Sequence, residues 1–248
     1  MCRWLAYSGS PVRLDELLYK PANSLVLQSK HARLGAETTN GDGFGVGWYG
    51  DVPTPGVFLS TEPAWNDRNL REIAAQLESG HVFAHIRAST GSAVQKTNCH
   101  PFRHGRRLWM HNGLVAGFPA VRRELTLAVD PLVFPEIQGS TDSEILFYLA
   151  VTFGLEADPV AAVASEARSR SLFHSVDVST LRHQYPDNPA LHVLSDDARL
   201  VVSEPLGELR GAWREVPEST CIVVHGGREE LRPFTPVAPA AATADGVN

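Results

Sequence analysis

The chain opens MCRWLAYSG (residues 1–9), and the reading of its second residue decides the fold. Leu5 and Tyr7 alternate with Trp4 and Ala6, which is the two-faced pattern of a short strand over residues 3–8. Cys2 then reads either as a small apolar residue beginning that strand or as a nucleophile. The second reading requires loss of Met1, so that one residue carries both a thiol and a free amine. A free thiol has a pKa of about 8.5 and a terminal amine about 7.7–8.0, close enough for the amine to take the thiol proton and return it to a leaving group. With Met1 attached, the same nitrogen is an amide and accepts no proton.

The 248 residues suffice for one large domain or two small ones, with a sizeable core either way. A formal net charge of -6 argues against a general nucleic-acid binder, which needs clustered Lys and Arg for phosphate contacts. Cys2, Cys99 and Cys221 have no repeated spacing and make no disulfide framework. No apolar run approaches the roughly eighteen residues of a membrane span. Arg3, Pro11, Arg13, Asp15 and Glu16 interrupt any secretory apolar region. A cytoplasmic protein with no membrane partner is expected.

Outward from the first strand, "PVRLDELLY" places Leu14, Leu17 and Leu18 at helical spacing, and "TTNGDGFGVGWYG" runs from turn signals into a strand. "WNDRNLREIAAQLESG" reads as a surface helix with Leu70, Ile73, Ala74 and Leu77 inward, capped by Asn66 or Asp67 and stopping at Gly80. "HVFAHIRAS" is a strand with Val82, Ala84 and Ile86 on one face and Phe83 on the other. "RRLWMHNG" is a short strand ending in a turn, and "FPAVRRELTLAV", "STDSEILFYLAVTFG" and "PVAAVASEARSRS" are helices. "LHVLSDDARLVVSEPL" reads as a hairpin turning at Asp196-Asp197, and "TCIVVHGG" as a further strand. The order of elements predicts a single α+β domain of antiparallel sheets covered by helices, spanning residues 2–235, with a disordered tail over 236–248.

Several short motifs fall on this framework. Glycines 41, 43, 45 and 47 of "NGDGFGVG" do not match a dinucleotide fingerprint; in a strand they leave one face bare for another backbone or a small ligand. His81, His85, His100, His104 and His111 cluster in sequence without metal-ligand spacing, so no metal is expected. Arg87, at a strand end, is suited to gripping a carboxylate bidentately, or is a surface arginine. Asn112-Gly113 reads as a hairpin turn or as an oxyanion hole built from a side-chain and a backbone N–H. Thr141 with Glu144 matches a helix capping box, and Asp142 beside them favours the helix dipole or holds an ammonium.

Cys2, "NGDGFG", "IRASTG", "NCHPF", "HNG" and "STDSE", in that order, resemble the class II glutamine amidotransferase domain of the N-terminal-nucleophile hydrolase fold. The resemblance covers roughly residues 2–235. It is strongest to the stand-alone YafJ-like branch, with the ergothioneine-pathway γ-glutamyl amidohydrolase a near relative. It implies a four-layer αββα sandwich of two antiparallel sheets and Cys2 as nucleophile with its own amine as base. It further implies Arg87, helped by Thr90, on the substrate α-carboxylate, Asn112 and Gly113 as oxyanion hole, and Asp142 on the α-ammonium. No cofactor is implied. Glutamine or a γ-glutamyl amide is the implied substrate, with an ammonia-accepting synthetase as candidate partner and a homo-oligomer as candidate assembly. Two departures bear on the acceptor: Ala88 stands where amino-sugar-forming relatives carry Trp, and no synthase domain follows residue 235. Ergothioneine-pathway relatives tend to have His at the position of Trp4 and Trp at that of Phe44, which ranks the glutamine reading first. A third reading, of another class, is an idle subunit that binds a γ-glutamyl metabolite or a partner protein.

Overall fold

The computed structural model describes residues 2–31, 39–89, 91–157 and 171–233. Its backbone organises around β1 (Arg3–Arg13), whose neighbours are β4 (Glu78–Ile86) and β8 (Arg199–Val202). With β2 (Phe44–Trp48), β3 (Gly56–Ser60), β7 (Phe173–Ser175) and β9 (Trp213–Glu215) these make a seven-stranded antiparallel sheet in the order β3-β2-β4-β1-β8-β7-β9.

One face of that sheet is aliphatic and aromatic. Leu5 and Tyr7 of β1, Phe44 and Val46 of β2, and Val82, Ala84 and Ile86 of β4 form one buried cluster. Leu14, Leu17 and Leu18 of α1 (Leu14–Leu18), Leu25 of α2 (Leu25–Lys30), and Leu70 and Ala74 of α3 (Arg68–Gln76) pack into it. The period-two strands and the period-3.6 helices bury their apolar sets against each other, as the sequence predicts.

On the opposite face β2 presents Gly45 and Gly47, and another backbone fills the gap. A Cβ on Gly45 would stand 2.1 Å from the His100 carbonyl oxygen, and one on Gly47 would meet Leu108 at 2.7 Å. Leu108 belongs to the hairpin of β5 (Phe102–His104) and β6 (Arg107–Trp109). Phe102 and Trp109 of the same hairpin turn outward, onto Ile145, Phe147 and Leu149 of α5 (Asp142–Thr152) and Phe118 and Leu125 of α4 (Phe118–Leu127). The layers therefore run helix, sheet, hairpin, helix. This is the α+β class and layer order expected, with the β5–β6 hairpin standing as the second β layer behind β2. A further hairpin, β10 (Thr220–His225) with β11 (Arg228–Pro233), is tied to β7 by the His174–Glu229 contact at 2.8 Å.

Three local expectations are corrected. The third helix ends at Gln76, because Glu78 and Ser79 already pair in β4 opposite Arg13 and Val12. The first arm of the expected hairpin around Asp196 is a short helix, Pro189–Val193: proline occupies its first turn and the Asn188 side chain accepts from Ala190 N. The capping box is half made. Thr141 Oγ1 accepts from Glu144 N at 3.3 Å, while the Glu144 carboxylate accepts from Gln138 N (2.9 Å) and Gly139 N (2.7 Å). Asp67 is the cap of α3, accepting from Leu70 N. The expected helix "PVAAVASEARSRS" and the expected tail 236–248 lie outside the described residues.

Candidate active site

Cys2 lies directly before β1, on the face that carries Gly45 and His85. Its Sγ stands 3.4 Å from Ala88 N and 3.6 Å from Ala88 O, at the exit of β4. Two donors hold its carbonyl: Arg3 Nη1 at 3.2 Å and Asn112 Nδ2 at 3.3 Å. Arg3 is itself buried beside Glu204, with Nε 3.4 Å from Oε2, and Glu204 also accepts from Asn23 Nδ2 at 3.1 Å. A paired buried charge of this kind fixes the strand end carrying Cys2.

Arg87, one residue beyond β4, is 3% exposed. Its Nη1 donates to the Asp42 carbonyl (3.3 Å), and its Nη2 to Ser89 Oγ (3.1 Å) and Ser92 Oγ (2.6 Å). The "NGDG" loop is the counterpart of this strand end: Arg87 N donates to Gly43 O, and Ser89 N to Asp42 Oδ2 at 2.7 Å. Arg87 is thus a buried, oriented guanidinium, and the surface reading is overturned. Asp142, the first residue of α5, accepts from Ser143 N at Oδ1 and Val115 N at Oδ2, both at 2.8 Å.

These groups converge. Cys2, Arg87, Gly113 and Asp142 line one cavity of about 290 Å³, together with His100, His111 and Ser143. Asn112 reaches the same place through its contact with Cys2. Residues 110–115 have no regular secondary structure and Gly113 has no positive φ, so Asn112-Gly113 is not the primed hairpin turn that its sequence suggests. Thr90 lies outside the described residues. A larger cavity of about 520 Å³, lined mostly by aliphatic side chains such as Leu181, Leu191 and Leu209, lies elsewhere and gathers none of these groups.

The other cysteines differ from Cys2 in setting. Cys99 is fully buried, and burial pushes its thiol up to about 11. Burial also raises Cys221. Of the five histidines clustered in sequence, two pack on one another. His85 and His100 pack with ring centroids 4.2 Å apart, their planes tilted by 33°, and both are buried. Burial drives His85 down to about 3 and His100 in the same direction, so both rings are neutral. Among the described residues no three His, Cys, Asp or Glu side chains group as metal ligands. Sequence reading weighed His111 only among the clustered histidines and gave no role to Ser89 or Ser92; His111 Nδ1 lies 2.8 Å from Ser143 Oγ, and the two serines accept from Arg87 Nη2.

The Cys2 thiol, the buried Arg87 guanidinium and the Asp142 carboxylate thus border one small cavity. The family model described as "Glutamine amidotransferases class-II" matches residues 19–181, and the chain belongs to that family. A γ-glutamyl-hercynylcysteine sulfoxide hydrolase of Mycolicibacterium smegmatis is 34% identical over 94% of this chain and 100% of its own length. The probable glutamine amidotransferase DUG3 of Saccharomyces cerevisiae is 42% identical over 60% of this chain; the chain spans 44% of that protein. Among solved structures, a glutamine aminotransferase class-II domain protein from Silicibacter pomeroyi superposes with a TM-score of 0.67 at 26% identity, over 95% of this chain and 100% of that one. Among the described residues no helix is long and apolar enough to cross a membrane.

Proposed function

We propose that this chain, over residues 2–235 and after loss of Met1, hydrolyses the γ-carboxamide of glutamine or a related γ-glutamyl amide through Cys2. The carrying observation is the convergence of Cys2, Arg87 and Asp142 on one cavity with the Asn112 amide against Cys2. Arg87, helped by Thr90, takes the α-carboxylate, and Asp142 takes the α-ammonium. Asp142 retains lone pairs beyond its two backbone contacts for that task.

The Cys2 amine removes the thiol proton as sulfur bonds to the amide carbon. The carbonyl oxygen becomes an oxyanion, which Gly113 N–H and the second N–H of the Asn112 amide receive. The carbon–nitrogen bond then breaks, the ammonium returns its proton to the departing nitrogen, and ammonia or an amine leaves. Water attacks the γ-glutamyl thioester, regenerating the thiol and releasing glutamate.

An N-substituted γ-glutamyl amide, as in small-thiol biosynthesis, is the second reading. Full-length likeness to relatives named as γ-glutamyl hydrolases favours it. Delivery of ammonia to a separate synthetase, and a homo-oligomeric assembly, belong to the first reading. Ammonia and glutamate release should be measured with glutamine, γ-glutamyl amides and butyramide. The reading predicts turnover of the first two and none of butyramide, which lacks both α-substituents. Equal hydrolysis of all three would remove the Arg87–Asp142 clamp. No hydrolysis by protein lacking Met1 would leave the idle-subunit reading.

A further inference from the structure

The Asn112–Gly113 segment has to hold two donors within a few tenths of an ångström of a developing charge, yet no helix or strand supports residues 110–115. What lies beside it is His111. Its Nδ1 is 2.8 Å from Ser143 Oγ, and Ser143 Oγ is 3.3 Å from Asp142 Oδ1. One direction satisfies both contacts: the Ser143 hydroxyl donates to the carboxylate, so it accepts from His111 Nδ1–H. The ring also packs under the next residue but one, since a Cβ on Gly113 would stand 2.4 Å from His111 Nε2. The second oxygen of Asp142 accepts from Val115 N at 2.8 Å, at the far end of the same segment. Residues 111 and 115 are thereby both anchored to the start of α5.

We propose that His111 and Ser143 are positioning residues that lock the Asn112–Gly113 donors to Asp142, so that seating the substrate α-ammonium on Asp142 also sets the oxyanion hole. The inference rests on the reading of the site as a γ-glutamyl amide hydrolase. It assigns the α-ammonium a role in turnover and not only in binding. An ammonium on Asp142 neutralises a carboxylate that also accepts from Ser143 Oγ and Val115 N, the two ties to the oxyanion segment. Its charge would hold the carboxylate, and with it the tied segment, in one arrangement through the chemical step. Displacement by about an ångström at such a point costs roughly a hundredfold in rate.

The test pairs the protein with two substrates. Glutaramate retains the carboxylate and γ-amide of glutamine but lacks the α-ammonium. For the wild type, kcat should fall at least tenfold from glutamine to glutaramate. Ser143→Ala and His111→Phe should each lower kcat for glutamine about ten- to a hundredfold with KM changed less than threefold. In both variants the advantage of glutamine over glutaramate in kcat should shrink towards one. The double variant should be no worse than the poorer single variant, because the two side chains act as one unit. If either single variant melts far below the wild type, His111→Gln supplies the comparison in its place. Variants with wild-type kcat, or an undiminished preference for the α-ammonium, overturn the inference while leaving the hydrolase reading standing. Absence of turnover by the wild type on any γ-glutamyl amide overturns both.

Discussion

The two faces of the central sheet are built from the same strands and obey different rules. Towards α1–α3, β1, β2 and β4 present Leu5, Tyr7, Phe44, Val46, Val82, Ala84 and Ile86, an apolar set that helices cover. Towards the hairpin and α5, the same strands and their ends carry Cys2, Gly45, Gly47, His85 and Arg87. Gly45, Gly47, His85 and Arg87 are buried too and Cys2 is half-buried, but at a cost that packing alone does not return, as for a guanidinium 3% exposed. One face stabilises the fold, and the other is organised around a cavity. Substitutions on the second face should therefore act on turnover before stability, and on the first face the reverse.

The largest break in that contrast is Cys2→Ala, which should abolish ammonia release while the melting temperature stays near that of the wild type. Cys99→Ala and Cys221→Ala should keep turnover, since neither residue carries an α-amine that can be freed. Asn112→Asp comes next. It replaces a donor with a negative acceptor where negative charge develops, so kcat should fall about a hundredfold or more with KM less affected. Wild-type turnover in a stable Asn112→Asp protein would return that residue to a purely structural role. Arg87→Lys should cost about ten- to a hundredfold in kcat/KM, because a point charge does not reproduce the planar fork.

On the opposite face Leu70→Ala should reverse the pattern. Urea unfolding should show a loss of about 2–5 kcal/mol, while kcat per folded molecule is unchanged. A fall in kcat there would mean that the two faces are coupled. The smallest effect is an acid dependence of stability that belongs to the site face. Unfolded histidine takes a proton near pH 6.5, whereas native His85 resists it down to about 3 and His100 is shifted the same way. The unfolded state therefore binds more protons below about pH 6.5, and stability falls as pH drops, by up to about 1.4 kcal/mol per pH unit for each ring. Glu144, raised by burial, opposes this only at lower pH, where the native carboxyl protonates first. Urea midpoints at pH 7.5 and 5.5 check the slope, and a flat profile would show that these rings pick up protons in the native state.

The same contrast explains what the sequence revealed. Alternation over residues 82–86 and helical spacing over 70–74 followed from burial on one side, so the aliphatic face and its helices were legible. Cys2, Arg87, Asn112, Gly113 and Asp142 were singled out one by one for their chemistry, and only the order of their motifs joined them. What was hidden depended on contacts between distant segments. Nothing local says that the bare face of β2 receives the His100 carbonyl, that Asp42 braces Arg87, or that Glu144 reaches Gln138 and Gly139 instead of completing its cap. Asn112-Gly113 misleads for the same reason: a dipeptide favoured in turns is held open here by His111, Asp142 and Cys2. At 189–193 the local proline and the Asn188 cap outweighed an apolar run that looked like a strand.

The central claim is that Cys2, freed of Met1, is the nucleophile of a γ-glutamyl site, and intact mass before and after a glutamine-shaped electrophile tests it most directly. The account predicts a purified chain lighter by one methionine that gains a single adduct, mapped to Cys2 and blocked by excess glutamine. A chain that retains Met1 and yet hydrolyses γ-glutamyl amides, or an adduct that forms on Cys99 or Cys221 and spares Cys2, would contradict it.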